Sequence, residues 1–198
     1  MTGRIVVLIS GAGSNMEALI DACRAGEVPG EVVAVIADRD CAGLAKAEER
    51  SVPTKIIAPG PFASREGWSE ALRDEVARLE PDLVVSAGFM RILAPVFVDA
   101  FAGRLINLHP SLLPAFPGAH AVRDALAAGA TVTGTTVHHV DHGVDTGRVI
   151  SQREVEVLQD DDEGTLHERI KEAERELLPR VCKQLLEEGT RERDDRRG

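Results

Sequence analysis

Arg4-Ile-Val-Val-Leu-Ile-Ser-Gly-Ala-Gly-Ser-Asn15 is the stretch that decides the fold. Its first half is a continuous β-rich apolar run, which reads as a central parallel strand buried on both faces. Glycines 11 and 13 break the strand. From Met16 to Ala25 the spacing turns helical, with Met16, Leu19, Ile20 and Cys23 on one side. Strand, glycine turn and helix start form an anion site, because free N–H groups and the positive end of the helix dipole converge there. Ser14 and Asn15 are expected to cap the helix. The dinucleotide pattern G-x-G-x-x-G fails, since Met16 stands where its third glycine belongs. A single phosphate monoester suits Gly13, Ser14 and Asn15 better than a pyrophosphate.

Working outward, strands and helices alternate. Strands are expected at 31–37, 52–58, 81–88 and from Leu105, with helices at 42–50 and from Ser64 to Leu79 between them. This alternation predicts a Rossmann-like, doubly wound and mostly parallel α/β sheet with helices on both faces. A helix over 118–128 follows. Two adjacent β-rich runs, 131–140 and 148–157, predict an antiparallel C-terminal edge. A long helix over about 165–188 carries Pro179, which is expected to bend it. The domain is set at residues 1–189, and the charged run 190–198 reads as a solvated, disordered tail.

The whole chain bounds the function. At 198 residues it is long enough for one sizeable core. Aromatics are only 3%, so Val, Leu, Ile and Ala must build that core. A net charge of −10 argues against a nonspecific nucleic-acid binder. No apolar run reaches membrane-spanning length. Three scattered cysteines without a Cys-x-x-Cys fit a reduced, cytoplasmic setting and argue against a disulfide framework or thiolate zinc site.

The chemistry gathers around Leu105-Ile-Asn-Leu-His-Pro-Ser-Leu-Leu-Pro-Ala-Phe-Pro-Gly118. Prolines must end the strand near Pro110. Just before that end, Asn107 and His109 are two apart and share a face, at the carboxyl end where open α/β sheets place ligands. An amide there can donate to an oxyanion, and an imidazole can move a proton near neutral pH. A carboxylate would complete an acyl-transfer site, and Asp141 and Asp145 are both candidates. No activated Ser-His arrangement is evident, so attack by a substrate amine is favoured over a covalent enzyme intermediate. In His138-His-Val-Asp-His142, neighbouring histidines would face opposite ways on a strand, so no metal site is assigned. Asp160 to Asp162 read as a solvated helix entry, and Glu174 by pattern as a surface residue.

Val6-Val-Leu-Ile-Ser-Gly-Ala-Gly-Ser-Asn15, Ala87-Gly-Phe-Met-Arg-Ile-Leu93, Asn107-Leu-His-Pro-Ser-Leu-Leu-Pro114 and Val144-Asp-Thr-Gly147 together resemble the phosphoribosylglycinamide formyltransferase family, within the folate-dependent formyltransferase superfamily. The resemblance runs from residue 4 to about residue 185. It implies formyl transfer from 10-formyltetrahydrofolate to the amine of glycinamide ribonucleotide in purine synthesis, with no metal. By motif it makes Asn107, His109 and Asp145 the catalytic trio and Gly13, Ser14 and Asn15 the phosphate loop. Gly88 and Met90 line the substrate. Arg91, Ile92, Leu93, Val140, Asp141 and Val144 surround the folate, and Arg65 stands near its anionic end. Glu174 becomes a ribose contact, against its surface pattern.

Some expectations stay open at this stage. A homodimer is one of two oligomeric states left standing. Formyltetrahydrofolate hydrolase and methionyl-tRNA formyltransferase share the core, but each typically adds a domain for which an acidic 198-residue chain has no room. A non-catalytic nucleotide or folate sensor would not require the trio.

Overall fold

Alternate residues of the first strand feed two different cores. The computed structural model describes residues 2–195. Strand β1 (Gly3–Ile9) sends Ile5, Val7 and Ile9 into one apolar cluster and Val6 and Leu8 into another. A strand covered on both faces reads as an unbroken apolar run, which is why no polar alternation is seen here.

The first cluster lies under α1 (Ser14–Arg24), α2 (Ala42–Glu49) and α6 (Glu163–Asp195), with Leu19, Leu44, Leu178 and Cys182 packed onto the sheet. The second lies under α3 (Arg65–Arg78) and α4 (Pro95–Ala100), where Trp68, Leu72, Val76, Phe97 and Phe101 are all buried. A small third cluster joins α5 (Ala121–Ala127) to α6.

The sheet adds β2 (Gly30–Ala37), β3 (Thr54–Ile56), β4 (Leu83–Ser86), β5 (Leu105–His109), β6 (Val132–His139) and β7 (Val149–Glu156). Its order is β3-β2-β1-β4-β5-β6-β7. The first five strands run parallel and the last two antiparallel, as expected. Strand order reverses between β1 and β4, so their carboxyl ends splay apart and open a crevice.

Several boundaries differ from the sequence reading. Helix α1 starts at Ser14, and Gly13 is its N-cap with φ 71°, so neither Ser14 nor Asn15 serves as a capping side chain. Helix α4 went unforeseen, because six residues rich in Val and Phe carry no helical propensity signal. Helix α6 continues to Asp195, so the expected disordered tail is helical over 190–195, and residues 196–198 lie outside the described part. Pro179 lies inside that helix.

The acidic entry to α6 is more than a solvated charge run. Asp162 Oδ1 accepts from Thr165 N at 2.8 Å while Thr165 Oγ1 accepts from Asp162 N at 3.0 Å, a reciprocal cap. Asp161 takes both guanidinium arms of Arg169 at 2.7 Å, and that pairing holds its carboxyl well below the usual range.

Candidate active site

Gly13 opens the site because no other residue fits there. Its φ is left-handed, and an added Cβ would lie 2.9 Å from Gly43 Cα and 2.8 Å from Met16 Cε. Gly43 N in turn donates to Gly11 O at 3.0 Å, so two backbones touch at this turn. The first N–H groups of α1 are thereby aimed across the crevice, as an anion site requires.

Asn15 and Glu174 meet, although 159 positions separate them in the chain. Asn15 Nδ2 donates to Glu174 Oε2 at 2.7 Å. Glu174 is only 5% exposed, which corrects its reading as a surface residue. Burial pushes its carboxyl up, more strongly than the Asn15 amide, Lys171 and Arg175 pull it down. Asn15 Oδ1 is also buried, with no partner among the described residues. A buried acceptor without a donor is rare and marks a place made for one.

Strand β5 delivers Asn107 and His109 to the other side of the crevice. His109 Nδ1 is 3.4 Å from Asp145 Oδ2, and His109 Nε2 is 2.9 Å from Phe116 O. Both ring nitrogens face oxygen atoms, so the ring is fixed in place from two sides. Asp145 sits at φ 55°, an uncommon value for a residue with a Cβ, which turns its carboxyl back into the site. Gly118 N donates to its Oδ2 at 2.7 Å. Burial alone would push this carboxyl up, but His138, the Gly118 N–H and His109 outweigh it and hold it below the ordinary range.

His138 belongs to this cluster; its spacing in the sequence suits a structural or substrate-contacting role better than a metal one but names no partner for it. Its register partner across β5 and β6 is Asn107, and Asn107 Nδ2 lies 3.2 Å from His138 Nε2. His138 Nδ1 lies 2.9 Å from His139 O, so the ring is held at both of its nitrogens, and the Asn107 amide keeps a second hydrogen free. His138 Nε2 is also 3.6 Å from Asp145 Oδ1. Only the β5–β6 register could have revealed this residue. His139 points to the opposite side, 3.0 Å from Arg148.

A cleft of about 130 Å³ lies beside the cluster, with Asn107, His138 and Asp145 in its wall. Arg91, Ile92 and Leu93 line one side, and Val140, Asp141 and Val144 the other. Ile92 and Val144 are half exposed, at 56% and 50%. Of the two candidate carboxylates, Asp145 reaches His109, while Asp141 accepts from Thr146 Oγ1 and Gly143 N and shapes its own loop. Gly88 and Met90 lie on the loop after β4, where Met90 N donates to Ser10 Oγ at 2.8 Å. Arg65 stands apart: it opens α3, pairs only with Glu66 at 3.6 Å among the described residues, and does not line the cleft.

A larger hollow of about 590 Å³ lies at the amino ends of β1 and β2, among Arg4, Cys23, Glu31 and Val52. Its thiol is pushed up to about 11 by burial, so it is inert near neutral pH. Size does not decide between the two. The smaller cleft holds the convergent amide, imidazoles and carboxylate, at the strand ends where such sheets bind ligands.

Residues 3–182 match the formyl transferase family model. A phosphoribosylglycinamide formyltransferase of Mycobacterium tuberculosis H37Rv is 55% identical over 175 residues, covering 88% of this chain and 81% of the relative. The Escherichia coli K12 enzyme of that name is 45% identical over 178 residues, covering 89% and 84%. The crystal structure of glycinamide ribonucleotide transformylase 1 from Symbiobacterium toebii superposes with a TM-score of 0.90 at 43% identity, covering 92% of this chain and 86% of that one. With its sheet, its crevice and its sequence all in agreement with these proteins, the chain belongs to the formyl transferase family, in the phosphoribosylglycinamide formyltransferase branch.

Proposed function

We infer that this chain transfers the formyl group of 10-formyltetrahydrofolate to the amine of glycinamide ribonucleotide, giving formylglycinamide ribonucleotide and tetrahydrofolate. The observation that carries the reading is the convergence of Asn107, His109 and Asp145 beside a cleft. A module that only bound ligands would have no use for that convergence.

The ribonucleotide phosphate rests on Gly13, Ser14 and Asn15, and Glu174 takes up its ribose. The glycinamide portion passes Gly88 and Met90. The folate enters between Arg91–Leu93 and the loop carrying Val140, Asp141 and Val144, with Arg65 meeting its anionic end when that end leaves the cleft. The free amine attacks the formyl carbon, and the carbonyl electrons move onto oxygen. Asn107 donates its spare amide hydrogen to that oxyanion, a contribution of roughly 2.7–4 kcal/mol for one well-placed donor. His109 supplies a second donor, and Asp145 holds its ring in place. The proton lost by the attacking nitrogen reaches N10 of the folate as the carbon–N10 bond breaks. Every group used is a side chain of this chain, so the chemistry calls on no metal. Three unpaired cysteines support a reducing, cytoplasmic setting.

The test is consumption of 10-formyltetrahydrofolate, followed by absorbance, with and without glycinamide ribonucleotide. Consumption that requires the ribonucleotide is expected. Equal consumption without it would make the chain a hydrolase, and none under either condition would make it a binder.

A further inference from the structure

One buried carboxylate at the carboxyl end of the sheet has no part in the chemistry above. Asp38 follows β2 directly and its side chain is 0% exposed. A carboxylate taken out of water must be paired, and three groups share this one. Arg91 Nε donates to Oδ2 at 2.6 Å, Arg39 Nη2 donates to the same oxygen at 2.8 Å, and the Ser10 hydroxyl bonds to the carboxyl as well. Ser10 itself directly follows β1, accepts from Met90 N at 2.8 Å, and donates its own N–H to Gly88 O at 3.1 Å.

These bonds all converge on one loop. Residues 88–93 leave β4 on the far side of the point where strand order reverses. Ser10 fastens the first half of the loop to β1, and Asp38 fastens the second half to β2. Met90 and Ile92 stand half exposed on this loop and only Phe89 and Leu93 pack inward, so apolar burial holds little of it and the two fastenings hold the rest. The bond to Asp38 also ties down the Arg91 guanidinium at its Nε, and Arg91 and Ile92 both stand in the cleft wall. A buried ion pair adds little net stability but costs a great deal to break, which makes it suited to orientation.

We propose that Asp38 is a positioning residue for folate binding: its carboxylate holds Arg91, and through Arg91 the wall formed by Ile92 and Leu93, in the place that the incoming formyl-folate requires. The proposal rests on the formyl transfer reading above and deepens it. Asp38 touches no reacting atom, so it governs the capture of one substrate and leaves the chemical step and the other substrate alone.

The test is a set of variants, Asp38→Asn, Arg91→Ala and the pair combined, with kcat and both KM values measured for each. Asp38→Asn keeps the shape and removes the charge. It should raise KM for 10-formyltetrahydrofolate by about fivefold or more, with kcat and KM for glycinamide ribonucleotide within about twofold. In the Arg91→Ala background the same change should add less than about twofold, since the partner is already gone. Binding of unreactive 5-formyltetrahydrofolate should weaken in parallel. An unchanged folate KM, or a loss spread evenly over both substrates and kcat, overturns the proposal and leaves Asp38 a structural anchor. Should Asp38→Asn fail to fold, Asp38→Ser must show the same folate-selective loss, and its absence there counts equally against the idea. If the wild-type chain does not consume the folate with the ribonucleotide, both readings fall together. If it does and Asp38→Asn matches it, only this one falls.

Discussion

Asp145 Oδ2 stands 3.4 Å from His109 Nδ1, while Oδ1 of the same carboxylate stands 3.6 Å from His138. One side chain thus faces two imidazoles and also accepts from the Gly118 backbone. Replacing it with Asn removes the negative charge that faces and orients the His109 ring. Turnover should fall roughly 100- to 10,000-fold, the range general acid–base groups contribute, while both KM values stay nearly constant. Steady-state kinetics decide, and a kcat close to wild type would take Asp145 out of the mechanism. The sign of the pH effect also follows. Its carboxyl is held below the ordinary range, so its share of stability is present above about pH 3.9 and is lost as pH falls through the lower folded value. Asp145→Asn should flatten that acid limb in thermal unfolding.

Gly13→Ala tests the phosphate loop. The new Cβ would meet Gly43 backbone at 2.9 Å and would sit at φ 71°. Either the turn moves or α1 shifts, and a strained φ alone costs about 1–3 kcal/mol. KM for glycinamide ribonucleotide should rise about tenfold, and the folate KM much less. A variant that binds both substrates normally would mean that this turn does not hold the phosphate.

Glu174→Gln separates binding from stability. Burial raises the folded pKa of this acid. Stability is therefore greatest below its ordinary value and falls as pH rises through that value toward the folded one. The neutral amide can still accept from Asn15 but carries no buried charge. The free variant should melt higher than wild type at pH 8 and nearly the same at pH 4, while its KM for the ribonucleotide rises. A lower melting temperature at pH 8 would contradict the burial argument.

Ser64→Ala concerns the fold alone. Ser64 Oγ accepts from Gly67 N at 3.1 Å and caps α3, whose Trp68 and Leu72 fill the second core. Losing an N-cap costs about 1 kcal/mol, or about 2–4 °C of melting temperature in a chain of this size. Turnover at 25 °C should not change, because the cap lies away from the cleft. Calorimetry and the absorbance assay check the two halves separately.

The parallel sheet was legible because β1 is apolar without a break and each later strand is followed by a helix-period segment. Asn107 and His109 were legible because a strand alternates its faces and prolines mark its end. Residue types alone leave Asp141 and Asp145 as candidates, and the likeness of Val144-Asp-Thr-Gly147 to the family motif selects Asp145. Helix α4 and the extension of α6 to Asp195 escaped notice, since short or highly charged helices draw their stability from neighbours and side-chain pairs that local propensity does not encode.

Local sequence, then, determined the strand and helix types, the glycine turn at residue 13 and the face shared by Asn107 and His109, because each depends on backbone conformation over a few neighbouring positions. Tertiary structure alone decided that Asn15 meets Glu174, that His138 pairs with Asn107, and that Asp38 holds Arg91. Those contacts span 31 to 159 positions where their bonds are direct. They follow from strand order and antiparallel register, which the chain settles only when its two cores close.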